Sequence, residues 1–310
     1  MLKKIVFMGT PLFAVPILKS LYQNGYPISV VYTQPPKKSN RGQKVNKSPI
    51  QGLSETLNIE FRTPNSLKNN EEEYKYFKKL NADIVIVVAY GQIIPKNILG
   101  LSKKGFINIH ASLLPKWRGA APIQRSLMNL DKKTGISIMK ISEELDTGPI
   151  CNSYELDIEN QDNSVTISDK LSLLAANSFL DIIDNILEDK VDFKEQNHKE
   201  ATYAKKIEKS EGKIDWDKSA EIIIGKINGL YPNPGAWFLF KGERYKILEA
   251  EIKNGIGSPG FVLDNYLEIC CNNNKSIKIL KIQRQGKRPQ NINEFVLGSQ
   301  IKKGTNLSNA

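Results

Sequence analysis

Two different hydrophobic patterns divide the chain. In the first two thirds, unbroken apolar runs such as KIVFM at residues 4–8 and DIVIVVA at residues 83–89 alternate with longer segments of helical periodicity. Unbroken runs of this length are typical of strands buried on both faces of a parallel sheet. The alternation predicts an α/β domain with a Rossmann-like, doubly wound and mostly parallel sheet.

The start of the chain shows the unit from which such a domain is built. After the first strand, Gly9-Thr10-Pro11 turns the chain into a helix predicted over residues 12–24, with Thr10 as its cap and Pro11 in its first turn. The turn lacks the second and third glycines of G-x-G-x-x-G, which argues against a dinucleotide site. Further strands are predicted at 28–33, 134–141 and 152–156, and helices at 65–80, 120–129 and 164–187.

The pattern changes after residue 206 to short strands separated by Gly, Asn and Pro. One helix at 219–228 precedes them, and this spacing predicts a small barrel or sandwich. Residues 191–206 lose periodicity and gain charge, so we interpret them as a linker with His198 exposed to solvent. The predicted organisation is a domain at 1–190, a linker at 191–206 and a second domain at 207–310, ending in a disordered tail at 302–310. The short strands are expected at 236–240, 244–252, 260–263, 266–270 and 276–283.

Charge favours a polyanionic partner for this protein. The 310 residues carry a formal net charge of +11. Residues 205–310 hold 18 basic against 11 acidic side chains, and residues 1–204 hold 26 against 22, so the final third carries most of the excess. Such an excess favours binding to nucleic acid, although a generally basic proteome would explain it as well.

Composition also bears on metals, redox state and location. Cys151, Cys270 and Cys271 form no C-x-x-C pair, and there are only two histidines, so neither a disulfide nor a metal site is expected. The first apolar run is too short for a signal peptide, and no segment approaches the roughly 20 apolar residues that span a bilayer. We therefore expect a reduced, cytoplasmic protein that is neither secreted nor membrane-embedded.

The clearest candidate chemistry lies in FINIHASLLPKWRGAAPIQ at residues 106–124. Asn108 and His110 are two residues apart at the end of a predicted strand, so their side chains share a face. Histidine accepts a proton near neutral pH and an asparagine amide stabilises a developing negative oxygen, a combination suited to attack on a carbonyl-like carbon. Asp146, in EELDTGP at residues 143–149, is the candidate partner for His110. By spacing alone, all three residues could instead be structural polar groups.

Two further segments have candidate binding roles. PPKKSNRGQKVNKSPI is rich in Lys and Arg, has no acidic residue and no apolar periodicity, and is expected to be an exposed, mobile loop that ends where Ser48 and Pro49 start a helix. It is either a solvated surface loop or a site for phosphates. YGQIIP follows the strand at 83–89, and its isoleucines could pack in the core or line an apolar slot.

Several of these segments together resemble one family. INIHASLLPKWRGAAPIQR followed by LDTGP is similar to the signature of the tetrahydrofolate-dependent formyltransferases, and MGTPLFAVPIL and YGQIIP resemble other segments of that family. The basic loop, YPNPGAWF and QRQGKRP resemble the members that act on tRNA. The resemblance implies an OB-like β-barrel as the second domain and catalytic roles for Asn108, His110 and Asp146. It implies folate contacts from Ser112, Leu113, Leu114, Pro115, Tyr90, Gly91 and Ile93, and tRNA contacts from Arg41, Gly42, Lys44, Lys38, Lys287 and Arg288.

The function implied is transfer of a formyl group from 10-formyltetrahydrofolate to the α-amine of initiator methionyl-tRNA, by a monomer that needs no metal. Three alternatives stay open. A relative that formylates a sugar nucleotide or a purine precursor would share the three catalytic residues but not the basic loop and second domain. A folate-dependent deformylase would use water as acceptor, and a non-catalytic RNA-binding module would retain the pocket without the reaction.

Overall fold

The computed structural model describes residues 3–39 and 44–308. Its strands are β1 (Ile5–Gly9), β2 (Ile28–Tyr32), β3 (Lys37–Ser39), β4 (Lys44–Asn46), β5 (Phe61–Arg62), β6 (Ile84–Val88), β7 (Phe106–His110), β8 (Arg118–Gly119), β9 (Lys133–Lys140), β10 (Ile150–Asp157), β11 (Tyr203–Ala204), β12 (Ala236–Phe240), β13 (Glu243–Asn254), β14 (Glu268–Cys270), β15 (Lys275–Arg284) and β16 (Gln290–Asn291). Its helices are α1 (Val15–Gln23), α2 (Pro49–Thr56), α3 (Glu71–Leu80), α4 (Lys96–Leu99), α5 (Pro122–Met128), α6 (Ser164–Leu187), α7 (Ala220–Leu230) and α8 (Ile292–Gly298).

The chain forms two compact units. The first comprises residues 1–119, 134–156 and 168–203, and the second comprises residues 120–133, 157–167 and 204–310. Both units are therefore assembled from separate stretches of sequence. None of the helices within the described ranges is both long enough and apolar enough to cross a membrane.

The first unit is built on a seven-stranded sheet in the order β10-β9-β7-β6-β1-β2-β5. The neighbouring pairs β7-β6, β6-β1, β1-β2 and β2-β5 are all parallel. Strand β9 runs antiparallel to β7. Every residue of β1 and of β6 is buried, as expected for central strands covered on both faces. The predicted doubly wound, mostly parallel sheet is confirmed.

The carboxyl ends of the parallel strands form one edge of this sheet, and their loops are tied together. The Thr10 hydroxyl donates a hydrogen bond to the Tyr90 carbonyl (2.8 Å), which links the loops after β1 and β6. The Gln34 amide, after β2, donates to the carbonyls of Tyr90 (3.0 Å) and Gly91 (2.9 Å). Three loops at the crevice edge are thereby held in one arrangement.

Some local predictions for the first unit were wrong. A 3₁₀ turn, Leu12–Ala14, precedes α1, and Thr10 does not cap it because its hydroxyl bonds Tyr90 instead. Helix α3 begins at Glu71 rather than at residue 65, since the Asn70 side chain accepts the Glu73 N–H (3.1 Å) and caps it there.

The basic segment is more structured than predicted where the structure describes it. Strands β3 and β4 pair as an antiparallel hairpin, with Lys37 opposite Asn46. Val45 is the one apolar residue among the six strand positions, so no alternation could reveal these strands. The predicted helix start is confirmed, because the Ser48 hydroxyl accepts the Gln51 N–H at 2.9 Å.

The second unit contains an antiparallel sheet in the order β12-β13-β15-β14, with β16 paired to β15. Helix α7, capped by Ser219, contributes Ile223 and Ile227 to a core shared with Phe238 and Ile279. The predicted domain of short strands is confirmed, and closure into an OB-like barrel stays a prediction.

Two predictions for the second unit were wrong. Residues 260–263 form isolated bridges, Phe261 to Asn306 and Val262 to Ile269, rather than a strand. The expected disordered tail is ordered as far as residue 308. Leu307 is buried in the core, and the Val262 N–H donates to the Thr305 carbonyl at 2.9 Å. Burial of apolar side chains near the chain end explains this order.

Candidate active site

Asn108 and His110 lie at the carboxyl end of β7, on the same face of the sheet, as the alternation of a strand requires. His110 is 7% exposed, whereas Asn108 is half-buried. Within the part of the chain that the structure describes, the side-chain amide of Asn108 makes no hydrogen bond. Its two N–H groups are therefore available to an oxygen brought into the crevice.

The hydrogen bonds of His110 define which of its nitrogens can exchange a proton. Nε2 lies 3.0 Å from the carbonyl oxygen of Trp117. A carbonyl only accepts, so Nε2 carries the hydrogen of this bond. The other nitrogen, Nδ1, lies 3.7 Å from Oδ2 of Asp146. The nitrogen that gains or loses a proton is therefore Nδ1, and it faces a carboxylate.

Asp146 is placed by the turn between β9 and β10. Its backbone is left-handed (φ 53°), and its Oδ2 accepts the N–H of Gly119 at 2.8 Å. Gly148 in the same turn has no room for a side chain, because a Cβ there would lie 1.9 Å from the carbonyl oxygen of Lys140. This close approach explains why the turn needs glycine at that position.

The segment Trp117–Gly119 holds both members of the His110–Asp146 pair. The Trp117 carbonyl accepts from the imidazole, and the Gly119 N–H donates to the carboxylate. Trp117 has a left-handed backbone (φ 61°), a conformation that costs energy for a bulky residue. No local pattern in the sequence indicated a role for Trp117 or Gly119, and the motif W-R-G was the one available signal.

The predicted folate segment Ser112–Pro115 begins two residues after His110 and is fixed by hydrogen bonds. The Ser112 hydroxyl is buried and donates to the Lys116 carbonyl (2.7 Å). Ser137 Oγ on β9 donates to the Ser112 carbonyl (2.8 Å) and accepts the Leu114 N–H (3.0 Å). Leu114 is buried, whereas Leu113 and Pro115 are partly exposed. The segment therefore presents part of its surface beside His110.

The segment after β6 has a mixed character. The Tyr90 ring lies in the core, where burial, followed by the nearby Glu73 charge, raises the pKa of its phenol, and its hydroxyl donates to Gln92. Gly91 has a left-handed backbone (φ 77°), which glycine adopts without strain. Ile93 is 80% exposed, so the core interpretation does not apply to it. An exposed isoleucine at a strand end is available to an apolar ligand.

The residues predicted to bind tRNA fall in two places. Arg41 and Gly42 lie outside the described residues, between β3, which contains Lys38, and β4, which begins at Lys44. Lys287 and Arg288 are exposed and follow β15 in the second unit. They border a cavity of about 360 Å³ that is also lined by Arg284, Gln290, Glu294, Phe295 and Gly298.

The cysteine thiols and the side chains able to bind a metal ion bear on which reactions this site suits. All three cysteines are free, and burial raises the pKa of Cys151 to about 11, so this thiol stays protonated at neutral pH. Between residues 3 and 39 and between 44 and 308, no group of three or more His, Cys, Asp and Glu side chains is arranged to hold a metal ion. An amide donor beside a His–Asp pair suits acid–base group transfer.

Comparison with known families agrees with this class. The family model "Formyl transferase" matches residues 3–183, and "Formyl transferase, C-terminal domain" matches residues 206–300. The chain therefore belongs to the formyl transferase family. It is 68% identical over 309 residues to the methionyl-tRNA formyltransferase of Pelagibacter ubique, covering 100% of both chains. It is 41% identical over 304 residues to that of Jannaschia sp., covering 98% of this chain and 99% of the relative.

Solved structures share the fold. The N-formyltransferase from Helicobacter canadensis, in complex with folinic acid and dTDP-3-aminofucose, matches with a TM-score of 0.70 at 19% identity, over 90% of this chain and 99% of that one. The methionyl-tRNA formyltransferase from Clostridium thermocellum matches with a TM-score of 0.58 at 22% identity, over 82% and 96%. At 19% and 22% identity, these similarities concern the fold alone.

Proposed function

We propose that this chain transfers the formyl group of 10-formyltetrahydrofolate to the α-amine of initiator methionyl-tRNA, the step that prepares this tRNA for translation initiation. The observation that carries the proposal is the full-length identity of 68% to a methionyl-tRNA formyltransferase, in a chain whose His110 faces Asp146 and whose Asn108 shares a strand face with His110. The protein is a one-carbon group transferase, and its partners are tRNA and a folate.

Each proposed catalytic side chain has a role that follows from its chemistry and from the groups that face it. The folate supplies the formyl group. Asn108 donates to the formyl oxygen as it becomes negative during attack by the amine. His110 accepts the amine's proton at Nδ1, because Nε2 is occupied by the Trp117 carbonyl. Asp146 stabilises the imidazolium that results and helps to return the proton to the leaving nitrogen.

The folate is held by two segments at the crevice edge. In the segment formed by Ser112, Leu113, Leu114 and Pro115, the partly exposed Leu113 and Pro115 offer their side chains, and the buried Ser112 and Leu114 hold the conformation through their bonds to Ser137. From the neighbouring strand end, Tyr90 and Gly91 contribute backbone and Ile93 contributes an exposed apolar side chain. A flat, largely apolar heterocycle with polar edges suits such a surface.

The tRNA is held by two basic regions. Lys38, Arg41, Gly42 and Lys44 belong to the hairpin segment, whose charge attracts phosphates. The exposed Lys287 and Arg288 provide a second region beside their cavity. We assign residues 1–190 to catalysis and 207–310 to an OB-like tRNA-binding domain. Residues 191–206 connect the two in sequence and belong, as far as residue 203, to the first compact unit.

We also propose that the protein acts as a monomer in the cytoplasm. Free cysteines with no disulfide partner suit a reducing compartment. Sedimentation equilibrium at micromolar concentration would reveal a dimer if this proposal is wrong.

One assay tests the function against its alternatives. The protein is incubated with 10-formyltetrahydrofolate and charged initiator tRNA, and formyl-methionine is measured after deacylation. We expect formyl-methionine with charged tRNA and no transfer with uncharged tRNA. Release of formate without acceptor would indicate a deformylase. Transfer to an amino-sugar nucleotide at a higher kcat/KM would indicate a sugar formyltransferase, and tRNA binding without either product would indicate an RNA-binding module.

A further inference from the structure

Gln196 lies in the segment that the sequence indicated as a linker, yet its side chain is buried (6% exposed) and uses both ends of its amide. Its Nε2 donates to the carbonyl of Asp146 (2.9 Å) and to the carbonyl of Gly148 (2.7 Å). Its Oε1 accepts from Nε (3.0 Å) and Nη2 (2.7 Å) of Arg118. Gln196 therefore joins the turn that contains Asp146 to Arg118.

Arg118 stands between the two residues that hold the catalytic pair. Trp117 accepts a hydrogen bond from His110, and Gly119 donates one to Asp146. The Arg118 side chain, 2% exposed, reaches back to Gln196.

Further hydrogen bonds hold the Trp117–Gly119 segment in place. Nη1 of Arg118 donates to Nδ1 of the exposed His198 (3.2 Å). The backbone of this segment is held as well, since the N–H groups of Trp117 and Arg118 donate to the hydroxyl and carbonyl of Thr202, both at 2.9 Å.

We propose that Gln196 is a positioning residue for the formyl transfer, which acts by fixing the Asp146 carboxylate against Nδ1 of His110. Asp146 has a left-handed backbone, which persists only where surrounding contacts stabilise it. Two of those contacts come from Gln196: one to the carbonyl of Asp146 itself and one to the carbonyl two residues later. Gln196 thus binds both the turn that contains Asp146 and the side chain of Arg118, whose two neighbours bind His110 and Asp146. Because these bonds form a closed network, the distance between His110 and Asp146 depends on Gln196.

A simpler role must be separated from this one. Gln196 could serve only as the partner of a buried guanidinium, whose loss would weaken the fold and reduce activity through the amount of folded protein. Gln196→Glu distinguishes the two roles. It keeps the shape and the single oxygen, Oε1, that accepts both Arg118 bonds, and adds a negative charge that favours the guanidinium. It also replaces the NH₂ donor with an oxygen that faces two carbonyl oxygens.

The test rests on the proposed function and uses the full chain with 10-formyltetrahydrofolate and charged initiator tRNA. We expect Gln196→Glu and Gln196→Ala to lower kcat by about 10- to 100-fold, since a catalytic group displaced by about 1 Å costs on the order of 100-fold. KM for both substrates should stay within about twofold of wild type. In an Asp146→Asn background, Gln196→Glu should cause no further loss, because both changes remove the same carboxylate effect. Asn197→Ala, a change of an exposed neighbour, should retain wild-type kcat.

Three results would overturn the proposal. The first is a Gln196→Glu enzyme with wild-type kcat, which would leave Gln196 as a partner of Arg118 only. The second is a loss that multiplies with that of Asp146→Asn. The third is failure of both Gln196 variants to fold, judged by circular dichroism and thermal melting, which would make the residue a general structural support. If wild-type protein itself formylates no tRNA, the proposed function fails instead.

Discussion

Replacing Asp146 with asparagine tests the central feature of the site, the charge that faces Nδ1 of His110. The substitution keeps the size of the side chain and an oxygen that can accept the Gly119 N–H, so the turn should survive. The Gln196 bonds go to main-chain carbonyls and are unaffected. What is removed is one negative charge, 3.7 Å from the imidazole nitrogen that we propose as the proton acceptor.

The size of the effect follows from this distance. Two unit charges 3.7 Å apart interact by about 4.5 kcal/mol at an effective dielectric constant of about 20, and by about 2 kcal/mol at about 40. The side chains of His110 and Asp146 are 8% and 14% exposed, so a value in this range applies. At about 1.36 kcal/mol for each factor of ten, the chemical step of Asp146→Asn should slow between about 40-fold and about 2000-fold.

The assay is single-turnover formylation, with enzyme in excess over charged initiator tRNA and with saturating 10-formyltetrahydrofolate, so that the chemical step is observed directly. Glu143→Gln is the matched control. It also converts a carboxylate to an amide in the same turn, but Glu143 is exposed and pairs with Lys96. We expect this control to stay within about twofold of wild type. A loss below about fivefold for Asp146→Asn, with unchanged melting temperature, would refute a role for the carboxylate in stabilising the imidazolium.

The other predictions concern the oxyanion, the folate and the tRNA. Asn108→Ala should lower kcat by about 100-fold or more with little change in KM, measured by steady-state formylation; unchanged turnover at saturating substrates would contradict the oxyanion role. Ile93→Ala should raise KM for the folate several-fold without lowering the melting temperature, because the side chain is 80% exposed; an unchanged KM would place the folate elsewhere. Arg41→Ala should impair use of tRNA while folate binding, measured by fluorescence titration, stays intact; equal loss of both would mean that the segment supports the fold. Lys287→Glu should weaken tRNA binding and reduce its dependence on salt in filter-binding measurements; an unchanged slope would exclude a phosphate contact.

Predictions from the sequence were accurate where a single local pattern governs structure. The apolar runs at residues 4–8 and 83–89 became the central strands β1 and β6, because strands covered on both faces must be apolar throughout. The cap of α2 by Ser48 was also predictable from a local pattern, since the donor and the acceptor are only three residues apart. The order of the tail was missed, because its burial depends on a distant core that receives Leu307.

The candidate catalytic residues show the same division between what local pattern and tertiary structure reveal. The sequence by itself determined that Asn108 and His110 share a face, since strand geometry places alternate side chains together, and its motifs indicated Asp146 as the third member. Only the tertiary structure decided that Nε2 of His110 is tied to a backbone carbonyl and that Nδ1 faces the carboxylate. It alone revealed Gln196, whose partners are 50 residues away at Asp146 and 78 residues away at Arg118. Contacts across such separations arise from packing of the whole unit and leave no local pattern. The sequence around Gln196 therefore has the features of a linker, although the Gln196 side chain joins the Asp146 turn to a buried arginine.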